Sequence, residues 1–508
     1  MSEINCDPKL CAVCGHDCGH SHAHEEISSE PVTVEEMANA REERAKRQEE
    51  LLKAGSPVVS FTMNIAGPIK YTRAAEVAFN TGIAMLKAEL ARFNARLTYE
   101  EYHIEKTGCE ALFTFKGPNA RLLKVVAQKV EDATAFSRLF DIDVIGADGK
   151  KLERAKPRKC VICDKPAMEC ARSRAHSVEE LQKKTRELTR EAISYAAGMA
   201  AWSALVAEVL ATPKAGLVDR NNNGANTDMD IDLFMKSADA IRPYFYLMAY
   251  NAADTDTPAS GHGEGCTVDE GVNCADCPSH ETCELDHGAS LMTRLTLLGV
   301  EAETRMKEAT GGVNAHKGAI FCLGLLVSAF AKLAAEGRSV QPLDVIGEAK
   351  RLAALRPEPG RGTHGAEARE KFKGVSEVFG ADAEARAGFP EAVNAYRRIL
   401  GFRLMGLDEN DCYALALIGI MEKLYDTNAY TRAGAEGADL VRRRAAEISA
   451  MPLSARLNAV LDFDRELIER NINCGGCADM LAAAIFLDKL NEYSDRHENT
   501  EFGMRNAE

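Results

Sequence analysis

The sequence predicts a multidomain protein in which an α+β amino-terminal domain is followed by an all-α carboxy-terminal domain. Its 508 residues are enough for more than one hydrophobic core. Patterns typical of β-strands occur only in the first part of the chain, as in 56–71 and 110–117. After about residue 186, alanine-rich segments with a helical period dominate, and glycine-containing polar loops separate them.

The composition is that of a globular protein, with 46% hydrophobic and 27% charged residues. The formal net charge of −15 argues against general binding to nucleic acid. The polar start of the sequence does not resemble a signal peptide, and no long apolar run predicts a membrane span. We therefore expect a cytoplasmic protein without membrane or nucleic-acid partners, in which 16 cysteines indicate metal or redox chemistry rather than a disulfide framework.

The first segment with a clear structural pattern is 32–53, which predicts a charged helix. Thr33 is placed to cap its amino terminus, and Glu36 completes a capping box. Helical periodicity predicts two further helices, over 75–93 and 120–136. Together with the strands, these helices make the first half α+β.

Asp141 and Asp143 are two residues apart and are predicted to lie on one strand. Side chains two residues apart on a strand point to the same face, so the two carboxylates form a candidate pair for a divalent cation. The alternative is that both residues lie in a turn at the end of the strand.

The second half has helices where apolar residues recur every three or four positions. These segments are 190–211, 318–335, 391–406, 411–424 and 478–492. Pro213 is expected to end the first of them, and Thr227 with Asp230 to begin the helix that follows. The polar stretch between them is then either a solvated loop or a binding site for a highly charged ligand.

Glycines and polar residues precede helices at several places in this half. A glycine-rich turn into a helix lets backbone N–H groups meet a phosphate, aided by the helix dipole. One such turn is weak evidence, whereas four of them predict a shared cleft. Beyond the first loop, the residues concerned are Gly311, Gly312, His316, Lys317, Asp426, Asn428, Arg432, Glu436, Gly475, Gly476 and Asp479.

Four segments of the second half resemble, in order, the motifs of triphosphoribosyl-dephospho-CoA synthases, which make the prosthetic-group precursor of citrate lyase. The segments are 216–230, 299–321, 426–441 and 463–480, and the resemblance covers roughly 190–492. It implies the reaction of ATP with 3′-dephospho-CoA to give 2′-(5″-triphosphoribosyl)-3′-dephospho-CoA and adenine.

The implied chemistry gives candidate roles to the polar residues of these segments. Loss of adenine from ribose needs a general acid and a general base, for which Asp479 and His316 are the candidates. The triphosphate is retained and needs a cradle, together with magnesium held by carboxylates. The cradle candidates are Lys214, Arg220, Asn223, Gly311, Gly312, Lys317, Asn428, Arg432, Gly475 and Gly476. The candidate magnesium ligands are Asp219, Asp228 and Asp426.

The chain departs from this family pattern at several positions. Ala215 stands where proline is usual, Asn226 where histidine is usual and Ala315 where threonine is usual. Cys474 and Cys477 flank a glycine pair that normally has proline before it and serine after it. These substitutions keep a second hypothesis open, namely a metal- or redox-responsive nucleotide-binding protein whose transferase sites have decayed.

The first half resembles the holo-acyl-carrier-protein synthase of citrate lyase, on segments 58–72, 138–146 and 158–181. That enzyme attaches the precursor to a serine of the apo acyl carrier protein, the citrate lyase γ subunit, and releases pyrophosphate. The implied domains are 32–186 and 187–495, followed by a tail at 496–508. One chain would then both make and attach the prosthetic group.

In this half, Asp141 and Asp143 are the candidate catalytic and metal-binding pair for a transfer that releases pyrophosphate. The basic candidates for contacts to phosphate or to the acidic carrier protein are Lys70, Arg138, Arg172, Arg174 and His176. The residues Cys160, Cys163, Cys170 and His176 have the spacing C-x2-C-x6-C-x5-H, which is compatible with zinc. A packed set of thiols is the alternative.

Two further cysteine clusters lie outside both resemblances. An extension at 1–31 holds Cys6, Cys11, Cys14, Cys18, His16, His20, His22 and His24. An insertion at about 252–288 holds Cys266, Cys274, Cys277 and Cys283. Four thiolates suit either zinc or a four-iron iron–sulfur cluster, so we expect a structural or redox-sensing metal site in the insertion.

Overall fold

The computed structural model describes residues 29–154, 156–254, 290–356, 371 and 380–493. These residues form two compact units. The amino-terminal unit contains 29–196 together with the short segments 334–341 and 491–493, and the helical unit contains 197–333 and 342–490. This division agrees with an α+β region followed by an all-helical one.

The amino-terminal unit is built on one antiparallel sheet with the strand order β2-β3-β1-β4. Its strands are β1 (Val58–Met63), β2 (Arg96–Glu105), β3 (Gly108–Lys116) and β4 (Phe140–Ile145). Its helices are α1 (Val34–Leu52), α2 (Arg73–Ala91), α3 (Ala120–Glu131), the short α4 (Ala167–Ser173) and α5 (Val178–Leu210), which continues into the helical unit.

The core of this unit is aromatic. Phe61, Phe79, Phe113 and Phe140 are all buried, and the rings of Phe61 and Phe79 meet edge to face at 5.3 Å. The predicted capping box of α1 is confirmed, because the Thr33 side chain accepts from the Glu36 N–H and the Glu36 carboxylate accepts from the Thr33 N–H.

The helical unit continues from α5 through ten further helices within the described residues. They are α6 (Ile231–Ala252), α7 (Leu291–Ala309), α8 (Lys317–Ala335), α9 (Pro342–Ala354), α10 (Ala381–Ala387), α11 (Pro390–Leu404), α12 (Glu409–Lys423), α13 (Thr427–Ala450), α14 (Leu453–Glu469) and α15 (Gly475–Leu490). The apolar faces of α8, α12 and α15 supply much of the core.

One helix start differs from the sequence-based prediction. The helix after the polar loop begins at Ile231 with Asp230 as its N-cap, so the predicted start at Thr227 was wrong. The Asp230 carboxylate accepts from the Leu233 N–H and satisfies that end of the helix, leaving Thr227 in the loop. The division between the two compact units falls between residues 196 and 197, inside α5.

Two helices are long and apolar enough, by length and composition, to cross a membrane. These are α5 and α8, whose most apolar windows are 61% and 78% buried within the fold. Their apolar side chains therefore contact the protein interior, as in the core helices of a globular protein.

Candidate active sites

The predicted pair of carboxylates lies in a cleft of about 400 Å³ in the amino-terminal unit. Burial alternates along β4, so that Ile142 and Val144 enter the core while Asp141 and Asp143 share the opposite face. Both of these carboxylates line the cleft, as the strand prediction requires. The other lining residues are Lys124, Glu131, Lys151, Leu152, Glu153, Arg154 and Arg158.

Cations hold these carboxylates in place. Arg158 donates to Asp141 Oδ1 at 3.2 Å, and Lys151 donates to Asp143 Oδ2 at 2.5 Å. The Asp141 and Asp143 side chains remain 48% and 29% exposed, so both face the open cleft. The cleft thus brings two accessible carboxylates together with several cations, which is the combination that metal-assisted phosphoryl chemistry uses.

A buried carboxylate, Glu131, organises the wall of the cleft. Its Oε1 accepts from the Ile142 N–H at 3.0 Å, and both Arg154 and Arg158 donate to its carboxylate. Lys124 donates to the carbonyl of Ile142 at 3.1 Å, and burial lowers the pKa of Lys124. These residues were missed in the sequence, because nothing in the local pattern shows that α3 reaches β4.

The basic residues predicted for this unit lie elsewhere. Lys70 donates to the carbonyl of Ile65 at 2.6 Å, and Arg138 donates to the carbonyl of Cys160 at 3.2 Å. Arg172 and Arg174 are exposed on and after α4. The structure therefore does not bring these four into the cleft, where Lys124, Lys151, Arg154 and Arg158 supply the positive charge.

The cysteines of this unit do come together with His176. Ligand atoms of Cys160, Cys163, Cys170 and His176 all lie within 4.8 Å of one another. Cys163 Sγ is 3.5 Å from Cys170 Sγ and 3.4 Å from His176 Nε2. His176 thus belongs with the thiols rather than with a phosphate contact.

In the helical unit, hydrogen bonds from side-chain carboxylates to backbone N–H groups connect the amino termini of α8, α13 and α15. Asp426, the N-cap of α13, accepts from the N–H groups of Asn428 and Ala429 through Oδ1 and from that of Cys477 through Oδ2. Asp479, on the first turn of α15, accepts from the Ala319 N–H at the start of α8. Three helix amino termini therefore meet, and the carboxylates of Asp426 and Asp479 accept hydrogen bonds from N–H groups of all three.

Close packing at this junction requires glycine. A β-carbon on Gly318 would collide with the Asp479 carboxylate, and one on Gly476 would lie 2.9 Å from Asp426 Oδ2. A β-carbon on Gly475 would lie 2.5 Å from Asn428 Nδ2. The predicted residues Gly475, Gly476 and Asn428 are therefore in contact with this junction.

His316 immediately precedes α8 and is buried, with 3% of its surface exposed. Its Nδ1 is 2.7 Å from the hydroxyl of Ser237 on α6, and its Nε2 is buried without a hydrogen-bond partner among the described residues. Burial, with a smaller effect of the Lys214 charge, lowers the pKa of His316 to about 3. The imidazole is therefore neutral at physiological pH.

The pKa of the Asp479 carboxyl is shifted in the opposite direction. Burial raises its pKa well above the ordinary value, and the neighbouring carboxylates of Glu208 and Asp426 raise it further. Asp479 can therefore keep a proton at a pH where most aspartates have lost theirs. The two pKa shifts, downward for His316 and upward for Asp479, both favour the uncharged form of the group.

The polar loop before α6 is folded on itself rather than solvated. Lys214 is buried and donates to Glu208 Oε1 at 2.6 Å, while its backbone N–H donates to Asp219 Oδ2 at 2.9 Å. Asp464 on α14 accepts from the Gly216 N–H and from Asn222 Nδ2, each at 2.8 Å. Lys214 therefore has a structural ion pair, in place of the free cation expected for a phosphate cradle.

Asn226, one of the positions that depart from the family pattern, lies in a polar contact between loops. Its Oδ1 accepts from Asn473 Nδ2 at 2.9 Å, and Arg432 donates to the carbonyl of Ala225 at 2.9 Å. These bonds join the first loop, α13 and the segment before α15. The structure thus brings three of the four predicted loops directly together, and the electrostatic contact of Lys214 with His316 adds the fourth.

Two of the three predicted magnesium ligands of the helical unit, Asp219 and Asp426, already have both carboxylate oxygens in hydrogen bonds. Both oxygens of Asp219 accept backbone N–H groups, from Lys214 on one side and from Asn221 and Asn222 on the other. Both oxygens of Asp426 do the same at α13 and α15. Asp228 is exposed in the loop. We therefore derive no step through magnesium at these three residues.

Other predicted residues of the helical unit lie at the surface. Lys317 pairs with Glu303 at 3.0 Å, and its side chain is 51% exposed. Gly311 and Gly312 have positive φ angles and no atom near the position of a β-carbon, and Arg220 and Asn223 are exposed. The structure brings none of these five into hydrogen-bonded contact with the junction.

Both outer cysteine clusters lie outside the described residues. The predictions for the extension and for the metal site on Cys266, Cys274, Cys277 and Cys283 therefore stay predictions.

Comparison with known families matches both units. The profile of ATP:dephospho-CoA triphosphoribosyl transferase (CitG) matches residues 194–498. The profile of apo-citrate lyase phosphoribosyl-dephospho-CoA transferase (CitX) matches residues 32–192.

Individual relatives repeat this division. Protein CitXG of Haemophilus influenzae is 28% identical over 480 residues, which cover 90% of this chain and 96% of the relative. The 2-(5''-triphosphoribosyl)-3'-dephosphocoenzyme-A synthase of Klebsiella pneumoniae is 32% identical, over 56% of this chain and 91% of the relative. A probable synthase of the same name from Azotobacter vinelandii is 36% identical, over 56% of this chain and 88% of the relative. The chain therefore belongs to the ATP:dephospho-CoA triphosphoribosyl transferase family and carries a citrate lyase phosphoribosyl-dephospho-CoA transferase domain in the same polypeptide.

Proposed function

We propose that this transferase carries out two successive steps in making the citrate lyase prosthetic group. The helical unit converts ATP and 3′-dephospho-CoA to 2′-(5″-triphosphoribosyl)-3′-dephospho-CoA and adenine. The amino-terminal unit then transfers the product to a serine of the apo acyl carrier protein and releases pyrophosphate. The observation that carries the proposal is the pairing of both family domains in one chain, each with a polar site of the required chemistry.

In the first step, the helix amino termini at the junction bind the triphosphate through backbone N–H groups. The bond from ribose to adenine breaks as the 2′-hydroxyl of dephospho-CoA attacks the anomeric carbon. Asp479 gives its proton to the leaving adenine nitrogen, and His316 Nε2 takes the proton of the attacking hydroxyl. Negative charge from a bound triphosphate would raise the pKa of His316, so substrate binding itself improves the base.

In the second step, a serine hydroxyl of the carrier protein attacks the phosphorus nearest the ribose, and pyrophosphate leaves. Asp141 and Asp143 have accessible carboxylates on one strand face and would hold a magnesium ion, which supplies charge neutralisation for the phosphates. Lys124, Lys151 and Arg154 would contact the leaving pyrophosphate.

All substrates named here are soluble metabolites or a soluble carrier protein. The apolar helices α5 and α8 are mostly buried within the fold. We therefore place the protein in the cytoplasm.

Replacement of Asp141 or Asp143 by Asn tests the division of labour. We expect modification of apo acyl carrier protein to fall by about 10²-fold or more, because metal binding and charge stabilisation are lost. Adenine release from ATP should stay near the wild-type rate. Asp148→Asn, in the exposed turn after β4, is the matched control and should leave both steps unchanged. If both steps fell together in a folded variant, the assignment of the cleft to the second step would be wrong.

A further inference from the structure

The cluster of Cys160, Cys163, Cys170 and His176 has no part in either reaction proposed above. It offers three sulfur donors and one nitrogen donor, all within 4.8 Å of one another. A tetrahedral zinc ion with its usual bond lengths places its sulfur ligands about 3.8 Å apart. The observed separation of 3.5 Å between Cys163 Sγ and Cys170 Sγ is close to that value.

The backbone around the first two cysteines is folded into a tight turn. The Cys160 N–H donates to the carbonyl of Lys165 at 2.8 Å, and Lys159 and Pro166 form an antiparallel bridge. The N–H groups of Ile162 and Cys163 are directed at the sulfur of Cys160. These two hydrogen bonds fix the position of the Cys160 sulfur relative to the turn.

The third and fourth donors follow from a short helix. Cys170 lies on α4, and the chain turns back after Arg174, which is in the left-handed conformation. His176 comes directly after this turn and reaches Cys163 Sγ at 3.4 Å. The ligands thus come from a turn, a helix and the segment beyond it, so that an ion would tie three pieces of chain together.

The segment that carries these ligands has little else to hold it. Within 156–177, the only fully buried apolar side chains are those of Cys160 and Cys170 themselves, and Val161 packs partly buried against the core. A stretch of this length cannot be ordered by so small a core, whereas a structural metal can order it.

We infer that Cys160, Cys163, Cys170 and His176 form a structural zinc site that holds the strand-to-helix connection against the transferase cleft. Three sulfurs and an imidazole are a ligand set typical of structural zinc. All four positions are taken by the protein, so the ion is structural rather than catalytic.

The site also has a consequence for the cleft. Arg158, two residues before Cys160, donates to Asp141 and Glu131, and its carbonyl accepts from the Ala167 N–H at 2.8 Å. Arg138 braces the same turn through the carbonyl of Cys160. Zinc would therefore act as a positioning element for Arg158, with no contact to the substrate.

The test compares full-length variants purified without added metal. Zinc is measured by elemental analysis in the wild type, in Cys163→Ser/Cys170→Ser and in Cys109→Ala, a control that removes a buried cysteine of the same unit outside the cluster. Because the chain holds other cysteine clusters, the informative quantity is the difference between variants. We expect the double variant to lose about one zinc per chain, and the control to lose none.

A spectroscopic readout is independent of activity. Cobalt-substituted wild type should show thiolate-to-cobalt charge-transfer bands and intense visible bands of tetrahedral cobalt, and the double variant should lose that contribution. His176→Cys keeps four donors and should retain the metal. If the double variant does not fold, His176→Ala replaces it, with faster zinc release to a chromophoric chelator as the expected result.

The two transfer activities of the double variant distinguish a failure of the zinc site from a failure of the proposed function. The double variant should lose carrier-protein modification by at least tenfold while adenine release continues. Three results would overturn the zinc site: an unchanged zinc content, a disulfide between Cys163 and Cys170 in protein alkylated without reduction, or iron–sulfur absorption that disappears in the double variant. None of these results depends on whether the two transfer reactions are assigned correctly.

Discussion

At the scale of single residues, the helical unit holds two buried groups whose pKa values are both shifted toward the uncharged form. Burial, followed by the Lys214 charge, lowers the pKa of His316, and burial, followed by the charges of Glu208 and Asp426, raises the pKa of Asp479. Ordinary surface residues would present a carboxylate and a partly charged imidazole at the same pH. Burial therefore favours a protonated Asp479 carboxyl as the acid, whereas His316 needs the negative charge of a bound triphosphate to raise its pKa before it is an effective base.

Replacing these groups should slow the chemistry more than it weakens binding. We expect His316→Gln and Asp479→Asn to lower the turnover number for adenine release by about 10²- to 10⁴-fold. Equilibrium ATP binding should change only a few-fold, because the helix amino termini remain. Arg465→Ala, which removes an exposed pair with Asp462, is the control and should stay within about twofold. A loss of ATP binding as large as the loss of turnover would make both residues binding groups instead.

Glu384 on α10 provides a prediction for stability against pH. Its burial, followed by the charge of Glu391, raises the pKa of Glu384 from 4.5 to about 7. The folded state then holds more protons than the unfolded state between these values, so stability is lost as the pH rises from 4.5 through 7. We expect Glu384→Gln to be more stable than the wild type at pH 8 by about 1–3 kcal/mol, and the difference to shrink at pH 5. Thermal unfolding at the two pH values measures this, and an equal difference at both would contradict it.

At the scale of elements, the candidate site of the helical unit lies where the amino termini of α8, α13 and α15 are close together. The first turn of α15 supplies Asp479 to the start of α8 and the Cys477 N–H to the N-cap of α13. Such contacts require the backbones to approach closely, and this is why glycines stand at positions 318, 475 and 476. These glycines create room for side chains, whereas Gly311 and Gly312 have positive φ angles and open space at the position of a β-carbon.

Gly318→Ala tests this geometry with little change in composition. The added methyl group would displace the Asp479 carboxylate, and we expect adenine release to fall at least tenfold. Gly347→Ala on α9 is the matched control, because nothing lies within 4 Å of its β-carbon position. That control should keep full activity and gain about 0.5–1 kcal/mol in stability from the helix preference of alanine. Equal activity in the two variants would show that Asp479 is not held at Gly318.

The sequence could predict those features of the elements that depend on residues close together in the chain. The capping box at Thr33 and the shared face of Asp141 and Asp143 are set by residues within one turn or one strand, and both are confirmed. Strand β2 was not predicted, because its charged residues conceal the alternation. The bond from Gly216 to Asp464 spans 248 residues, so no local pattern could show it.

At the scale of the whole molecule, the central claim is that one chain contains two separate chemistries. The family matches divide the chain near residue 193, and the two compact units divide at 196 and 197. The junction that holds His316 and Asp479 belongs entirely to one unit, and the cleft with Asp141 and Asp143 belongs entirely to the other. Each step should therefore be removable without the other.

The most direct measurement is adenine release by the purified full-length chain incubated with ATP and magnesium, with and without 3′-dephospho-CoA. We predict that adenine appears only when dephospho-CoA is present, in equal amount to a product that retains all three phosphates of ATP. The Asp143→Asn variant should match the wild type in this assay. Adenine formed without dephospho-CoA would indicate a nucleosidase. ATP binding without any adenine would indicate a decayed nucleotide-binding protein, and either result would contradict the account.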